Sequence, residues 1–153
     1  MEPDEPVTVL RADVLPPELF NLRRVARVLT LYHLLMIPLL IFLGNPIISA
    51  LDWIGDKLFS LPAIQTGAND FWMVPVIGLA ATLAFCCARV WMDVRRRDWM
   101  QPVLITHGVM AVSFLAYYFL DVRSLAYLGA LGLEGLLFLG CAYFWWAAGA
   151  ARG

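Results

Sequence analysis

Apolar residues gather in four long blocks, at 25–44, 71–88, 102–120 and 125–146, and the charged positions fall almost entirely between them. A helix needs about 20 apolar residues to cross about 30 Å of hydrocarbon, and each block approaches that length. The pattern therefore predicts an all-α, integral-membrane four-helix bundle. Only residues 121–124 join the last two blocks, which forces them into an antiparallel hairpin. The link over 45–70 is the long one. Within it Ile47, Ile48, Leu51, Ile54, Leu58 and Phe59 recur at near-helical spacing, with Asp52, Asp56 and Lys57 between them. That spacing predicts a short amphipathic helix lying on the outer membrane surface and ended by Leu61-Pro62.

Ahead of the first block, residues 1–15 are acidic and Pro-rich, and Pro16-Pro17-Glu18 reads as a helix start. Residues 1–22 are accordingly expected to form a tail and interfacial lead-in, and residues 23–153 the transmembrane domain. Pro38 falls inside the first block, where it removes a backbone donor and should kink the helix.

Composition reinforces the pattern. Hydrophobic residues make up 61% of the 153 positions and charged residues 15%, against about 25% charged in a soluble domain. A net charge of −1 lacks the basic face that a nucleic-acid binder needs. The acidic N-terminus is the reverse of a signal peptide's basic start, so the first apolar block is expected to stay in the mature protein.

Charge placement adds orientation. Arg11, Arg23, Arg24, Arg27, Arg89, Arg95, Arg96, Arg97 and Arg152 fall on one side of the blocks, and only Lys57 and Arg123 on the other. Nine against two puts both termini and the 95–97 loop in the cytoplasm by the positive-inside rule. The chain then belongs in a cytoplasmic (bacterial inner) membrane. Trp53, Trp72, Trp91, Trp99, Trp145 and Trp146 lie near block ends, where an aromatic belt would sit.

Candidate chemistry is confined to a few polar residues inside the blocks. His33 lies six residues beyond Arg27 and His107 six beyond Gln101, so each is about 9 Å inside the same boundary. Two imidazoles at one depth can ligate a haem b iron or hold a chlorophyll-type pigment. Each can equally hydrogen-bond a carbonyl or a nearby threonine such as Thr30 or Thr106. On block three, His107, Ala111, Phe114, Tyr118 and Asp121 share a face.

Glu134 stands near the middle of block four, at least about 14 Å from either end. A carboxylate there must be partnered or neutral, and its candidate partners are His107, His33, Tyr117 and Thr82. It can serve a proton relay or ion site, or pin one helix to its neighbour. Gly129, Gly132 and Gly140 occupy roughly the opposite side of the same helix. Such a face permits close approach of a partner helix, or of block three in the hairpin.

Cys86, Cys87 and Cys141 lie within blocks and read as buried thiols without a CxxC pair. No HExxH, GxGxxG, P-loop, CxxCH or GxSxG pattern is present in the sequence. The first expectation is thus a non-catalytic accessory subunit of a larger membrane complex, an energy-converting (electron-transfer or photosynthetic) one being the natural host. Its partners would be the bilayer and other membrane subunits, or further copies of itself. A haem- or pigment-binding bundle using His33 and His107 is the second reading. A small proton- or ion-coupled transporter using Glu134 is the third.

Overall fold

A computed structural model describes residues 15–62, 73–120 and 123–150. Every regular element among them is helical: α1 (Pro17–Phe59), α2 (Met73–Met92), α3 (Met100–Leu120) and α4 (Leu125–Ala150), with a 3-10 turn at Val94–Trp99. All four long helices have the length and apolar character to cross a membrane. Val28, Leu35, Phe42, Ile105, Val112, Phe119, Leu136 and Leu139 are among many large apolar side chains left exposed. A soluble protein would bury such a surface, whereas lipid solvates it.

The helices follow one another around a ring, α1 beside α2 and α4, α3 beside α4 and α2. This places α1 and α3 across the diagonal. The core is concentrated toward the arginine-rich end. There Leu19, Leu22, Ala26 and Leu29 of α1 meet Leu83, Cys86, Cys87 and Val90 of α2, Val94, Met100 and Val103, and Cys141 and Ala148 of α4. Leu19 and Leu22 thus seat the first turns of α1 against this core. Phe20 beside them stays exposed, with the Arg24 guanidinium 5.0 Å from its ring centroid.

The arginines do more than mark one end. Arg23 Nε donates to the Trp91 carbonyl at 2.9 Å, Arg27 lies over the Trp91 ring, Arg89 over Trp99 and Arg97 over Trp145. Asp93 starts the 3-10 turn by accepting from the Arg95 amide at 3.1 Å. Cations on aromatic faces at a membrane interface keep charge in the wet layer while the stems cover apolar surface.

The long link differs from its sequence-level picture. Its amphipathic stretch is helical, but it is the last part of α1 and not a separate element, because the helix runs through both Pro38 and Pro46. The helix ends at Phe59, just ahead of Leu61-Pro62. Ser60 takes a left-handed conformation (φ 52, ψ 37), and the amides of Ser60 and Leu61 bond back to the carbonyls of Asp56 and Gly55.

The inward face of this stretch docks on the tip of the α3–α4 hairpin. Ser124 Oγ donates to Asp52 Oδ1 at 3.0 Å and accepts from the Ala126 amide at 3.1 Å, so it caps α4 while holding α1. Both side chains are buried. A Cβ on Gly55 would stand 3.1 Å from Leu125 Cβ, so glycine lets the two backbones meet.

Candidate functional site

Midway along the bundle the structure gathers the three polar residues that the sequence singles out. His107 of α3 and Glu134 of α4 form a buried pair, Nδ1 to Oε2 at 2.5 Å. The ring of His33, reaching across from α1, stacks on that of His107 with centroids 5.4 Å apart and planes 25° from parallel. All three are more than nine-tenths buried: His33 is 3% exposed, His107 2% and Glu134 8%.

Local geometry explains how each is aimed. His107 lies one and two turns beyond the fully buried Val103 and Met100, so it continues the inward stripe of α3. Just past it, Gly108 lets the Phe138 ring of α4 lie where a Cβ would stand only 3.2 Å from Cε2. This close passage brings Glu134, one turn before Phe138, within reach of His107. His33 follows Ala26, Leu29 and Thr30 on the buried face of α1. Its Nδ1 donates to the Leu29 carbonyl at 2.7 Å, and Thr30 Oγ1 donates to the Ala26 carbonyl instead of to the imidazole.

The assignments of the two Nδ1 atoms matter for the rest of each ring. A carbonyl oxygen only accepts, so His33 Nδ1 carries hydrogen. A carboxylate likewise accepts from His107 Nδ1. Both Nε2 atoms are then lone-pair bearers when the rings are neutral. Neither has a hydrogen-bond partner, and with Trp145 Nε1 they are the buried side-chain polar atoms left unpaired among the described residues. A cavity of about 60 Å³ adjoins the two histidines and is lined by Tyr32, His33, Met36, Leu40, Val76, Leu79, Ala80, Leu83, His107, Met110 and Glu134.

Other candidate residues fall elsewhere. Of the partners considered for Glu134, His107 takes the carboxylate. Thr82 bonds the Gly78 carbonyl, and Tyr117 stacks on Tyr127 at 5.8 Å. Gly129, Gly132 and Gly140 have no heavy atom within 4 Å of where a Cβ would stand, and so face open space. The hairpin's tight crossing uses Gly108 instead. Ala111, Phe114 and Tyr118 are each half-buried on the side of α3 that carries His107, while Asp121 lies outside the described residues.

A haem b or chlorophyll-type pigment does not fit between these two histidines as they stand. Bis-imidazole ligation puts a metal between two nitrogen atoms and a tetrapyrrole between the rings. Here the rings face one another at 5.4 Å, and the adjoining cavity is far smaller than a tetrapyrrole.

Sequence reasoning passed over two other features. Met36 and Met110 line the cavity with the histidines, each three residues after its own histidine; the repeated His-x-x-Met was the available signal. Asp52 looked like a solvated charge on an amphipathic helix, yet it is buried against Ser124.

Fold and site together define a class: a small all-helical bundle suited to a bilayer, carrying a buried His–His–Glu centre at the meeting of α1, α3 and α4. No protein-family model, curated protein or solved structure matches the chain.

Proposed function

We propose that this chain is a small ion-handling membrane protein, a proton- or ion-coupled carrier whose coupling centre is Glu134 with His107 and His33. The observation that supports this reading is the buried His107–Glu134 pair with a second imidazole stacked on it. Ionisable groups inside a membrane segment are costly, and they commonly mark ion or proton pathways. A helix bundle needing only a packing pin could use a single neutral side-chain hydrogen bond. Here three ionisable groups adjoin one cavity.

The test is flux in sealed proteoliposomes, read with a pH-sensitive dye and a panel of monovalent cations. Wild type is expected to carry a cation that Glu134→Gln does not, with the variant's helicity and detergent elution unchanged. Equal flux in wild type and variant rejects the carrier reading.

A second reading is a non-catalytic accessory subunit of a larger inner-membrane complex, electron-transfer or photosynthetic assemblies being natural hosts. The open glycine strip of α4 favours it, because Gly129, Gly132 and Gly140 leave room for another helix. Gly132→Leu should then release the chain from its complex without preventing insertion, as native mass in mild detergent would report. In either reading the nine-to-two arginine and lysine asymmetry assigns both termini to the cytoplasm and the protein to a bacterial-type inner membrane.

A further inference from the structure

We infer that the corner where α1 passes the end of α2 is a binding site for the phosphate headgroup of one anionic phospholipid, held by Arg23 and Arg27 beside Trp91. The site stands apart from the ion-handling reading and does not rest on it.

Local sequence puts the two charges together. Arg23 and Arg27 are four residues apart on α1, so their Cβ atoms are neighbours about 5–6 Å apart on one helix face. Both side chains then end on the same residue of α2. Arg23 Nε donates to the Trp91 carbonyl at 2.9 Å, and the Arg27 guanidinium carbon lies 5.5 Å from the centroid of the Trp91 ring. Trp91 is the last residue but one of α2, where carbonyls lack a helical partner, so the Arg23 bond also closes that helix end.

Neither contact uses up the donors. A guanidinium carries five N–H groups. Arg23 commits one of them, and Arg27, resting on a ring face, commits none among the described residues. No carboxylate forms an ion pair with Arg23, Arg24 or Arg27 among the described residues. Arg96 is the contrast, 3.4 Å from the carboxylate of Asp93. Like charges one turn apart repel, and Arg24, exposed like its two neighbours, adds a third. Cations that are held in place yet short of acceptors fit an anion with several oxygens, and phosphate matches the guanidinium fork.

The surface below decides which phosphate. Leu31 and Leu34 follow Arg27 by four and seven positions, on its face of the helix, and both are exposed, as is Val28. A soluble anion makes no use of an apolar stripe under its site. An acidic protein loop would cover the charge and leave the stripe bare. A phospholipid satisfies both, with headgroup oxygens on the guanidiniums and acyl chains along Leu31 and Leu34. Basic clusters at the membrane boundary recognise anionic lipids in this way, and tryptophan rings favour the headgroup level.

The experiment is native mass spectrometry of the purified full chain in a neutral detergent. The chain is titrated with phosphatidylglycerol, or with phosphatidylcholine of the same acyl chains. Wild type is expected to retain one phosphatidylglycerol in preference to phosphatidylcholine. Arg23→Gln/Arg27→Gln should hold it on the order of tenfold more weakly. Arg95→Gln/Arg96→Gln removes the same charge from the neighbouring 3-10 turn and is expected to keep wild-type retention. Equal retention of the two lipids by wild type overturns the site. An equal loss in the two double variants also overturns it, because it marks a diffuse effect of charge.

Two further arms close the remaining routes. Should Arg23→Gln/Arg27→Gln aggregate, Arg27→Gln takes its place, an exposed change that touches only the Trp91 ring. It is expected to lower phosphatidylglycerol retention, and unchanged retention overturns the assignment. Inorganic phosphate in large excess distinguishes the source of the anion. Lipid that stays bound in its presence supports a lipid site, and lipid that phosphate displaces assigns the corner to a soluble anion and overturns the proposal.

Discussion

His107 and Glu134 hold each other in place by different means than the apolar core around them. Each is a strongly polar group taken out of water, and the energetic value of their bond is chiefly the penalty it avoids. His107→Leu leaves Glu134 without its imidazole partner and should lower stability by about 3–5 kcal/mol, as for other broken buried pairs. The double change His107→Leu/Glu134→Leu removes both polar groups and should recover most of that loss. Reversible denaturant unfolding in mixed micelles would measure the cycle, and a double variant as unstable as the single one would show that the pair is not the source.

Ser124 gives a second residue-scale prediction. Ser124→Ala removes the cap of α4 and a donor to Asp52 together. Loss of the cap alone costs about 1 kcal/mol, and the bond to a buried carboxylate adds to it. The same assay should show Ser124→Thr, which keeps the hydroxyl, much closer to wild type.

At the scale of the element, α1 carries the unusual demand. Between the level of the histidine–glutamate centre and the hairpin tip, α4 uses ten residues (134 to 124), about 15 Å of rise, while α1 uses nineteen (33 to 52), about 28 Å. A straight α1 parallel to α4 would overshoot Ser124. It must run obliquely or bend, and Pro38 and Pro46 both fall in that interval. Each lacks the N–H of a normal helical bond, which is where helices yield.

Pro46→Ala restores a donor toward the Phe42 carbonyl and should stiffen α1, drawing Gly55 away from Leu125. Spin labels at Trp53→Cys and Arg123→Cys, in a chain without its native cysteines, would report a lengthened distance. An unchanged distance would assign the bend to packing alone.

For the whole molecule, the testable property is which way the bundle sits. The structure brings Arg23, Arg27, Arg89 and Arg97 to one end and pairs each with a tryptophan. That end should face the cytoplasm. Reporter fusions after residue 153 are expected to be active for a cytoplasmic reporter and silent for a periplasmic one, and the reverse would invert the topology. Absorption gives a further whole-molecule check: the stacked histidines leave no slot for a tetrapyrrole, so the purified chain should show no Soret band.

The helices were legible in the sequence because lipid as a solvent demands long uninterrupted apolar runs, a signal that survives without any knowledge of neighbours. His33, His107 and Glu134 were legible for the related reason that polar groups stand out against such runs. The shared depth of the two histidines could be counted residue by residue. The helix start at Pro16-Pro17-Glu18 was legible from local chemistry as well.

What tertiary structure alone decided is which groups meet. A helix presents its side chains by rotation, and rotation about its axis is set by packing, so depth could be read while facing could not. Thus Asp52 turns inward to Ser124, His33 stacks across the diagonal on His107, and the glycine strip of α4 faces outward while Gly108 admits Phe138. The link after Pro46 was read as a separate surface helix for a similar reason. Proline weakens a helix by one hydrogen bond, and only the docking of Gly55 and Asp52 on the hairpin tip shows that the helix continues through it.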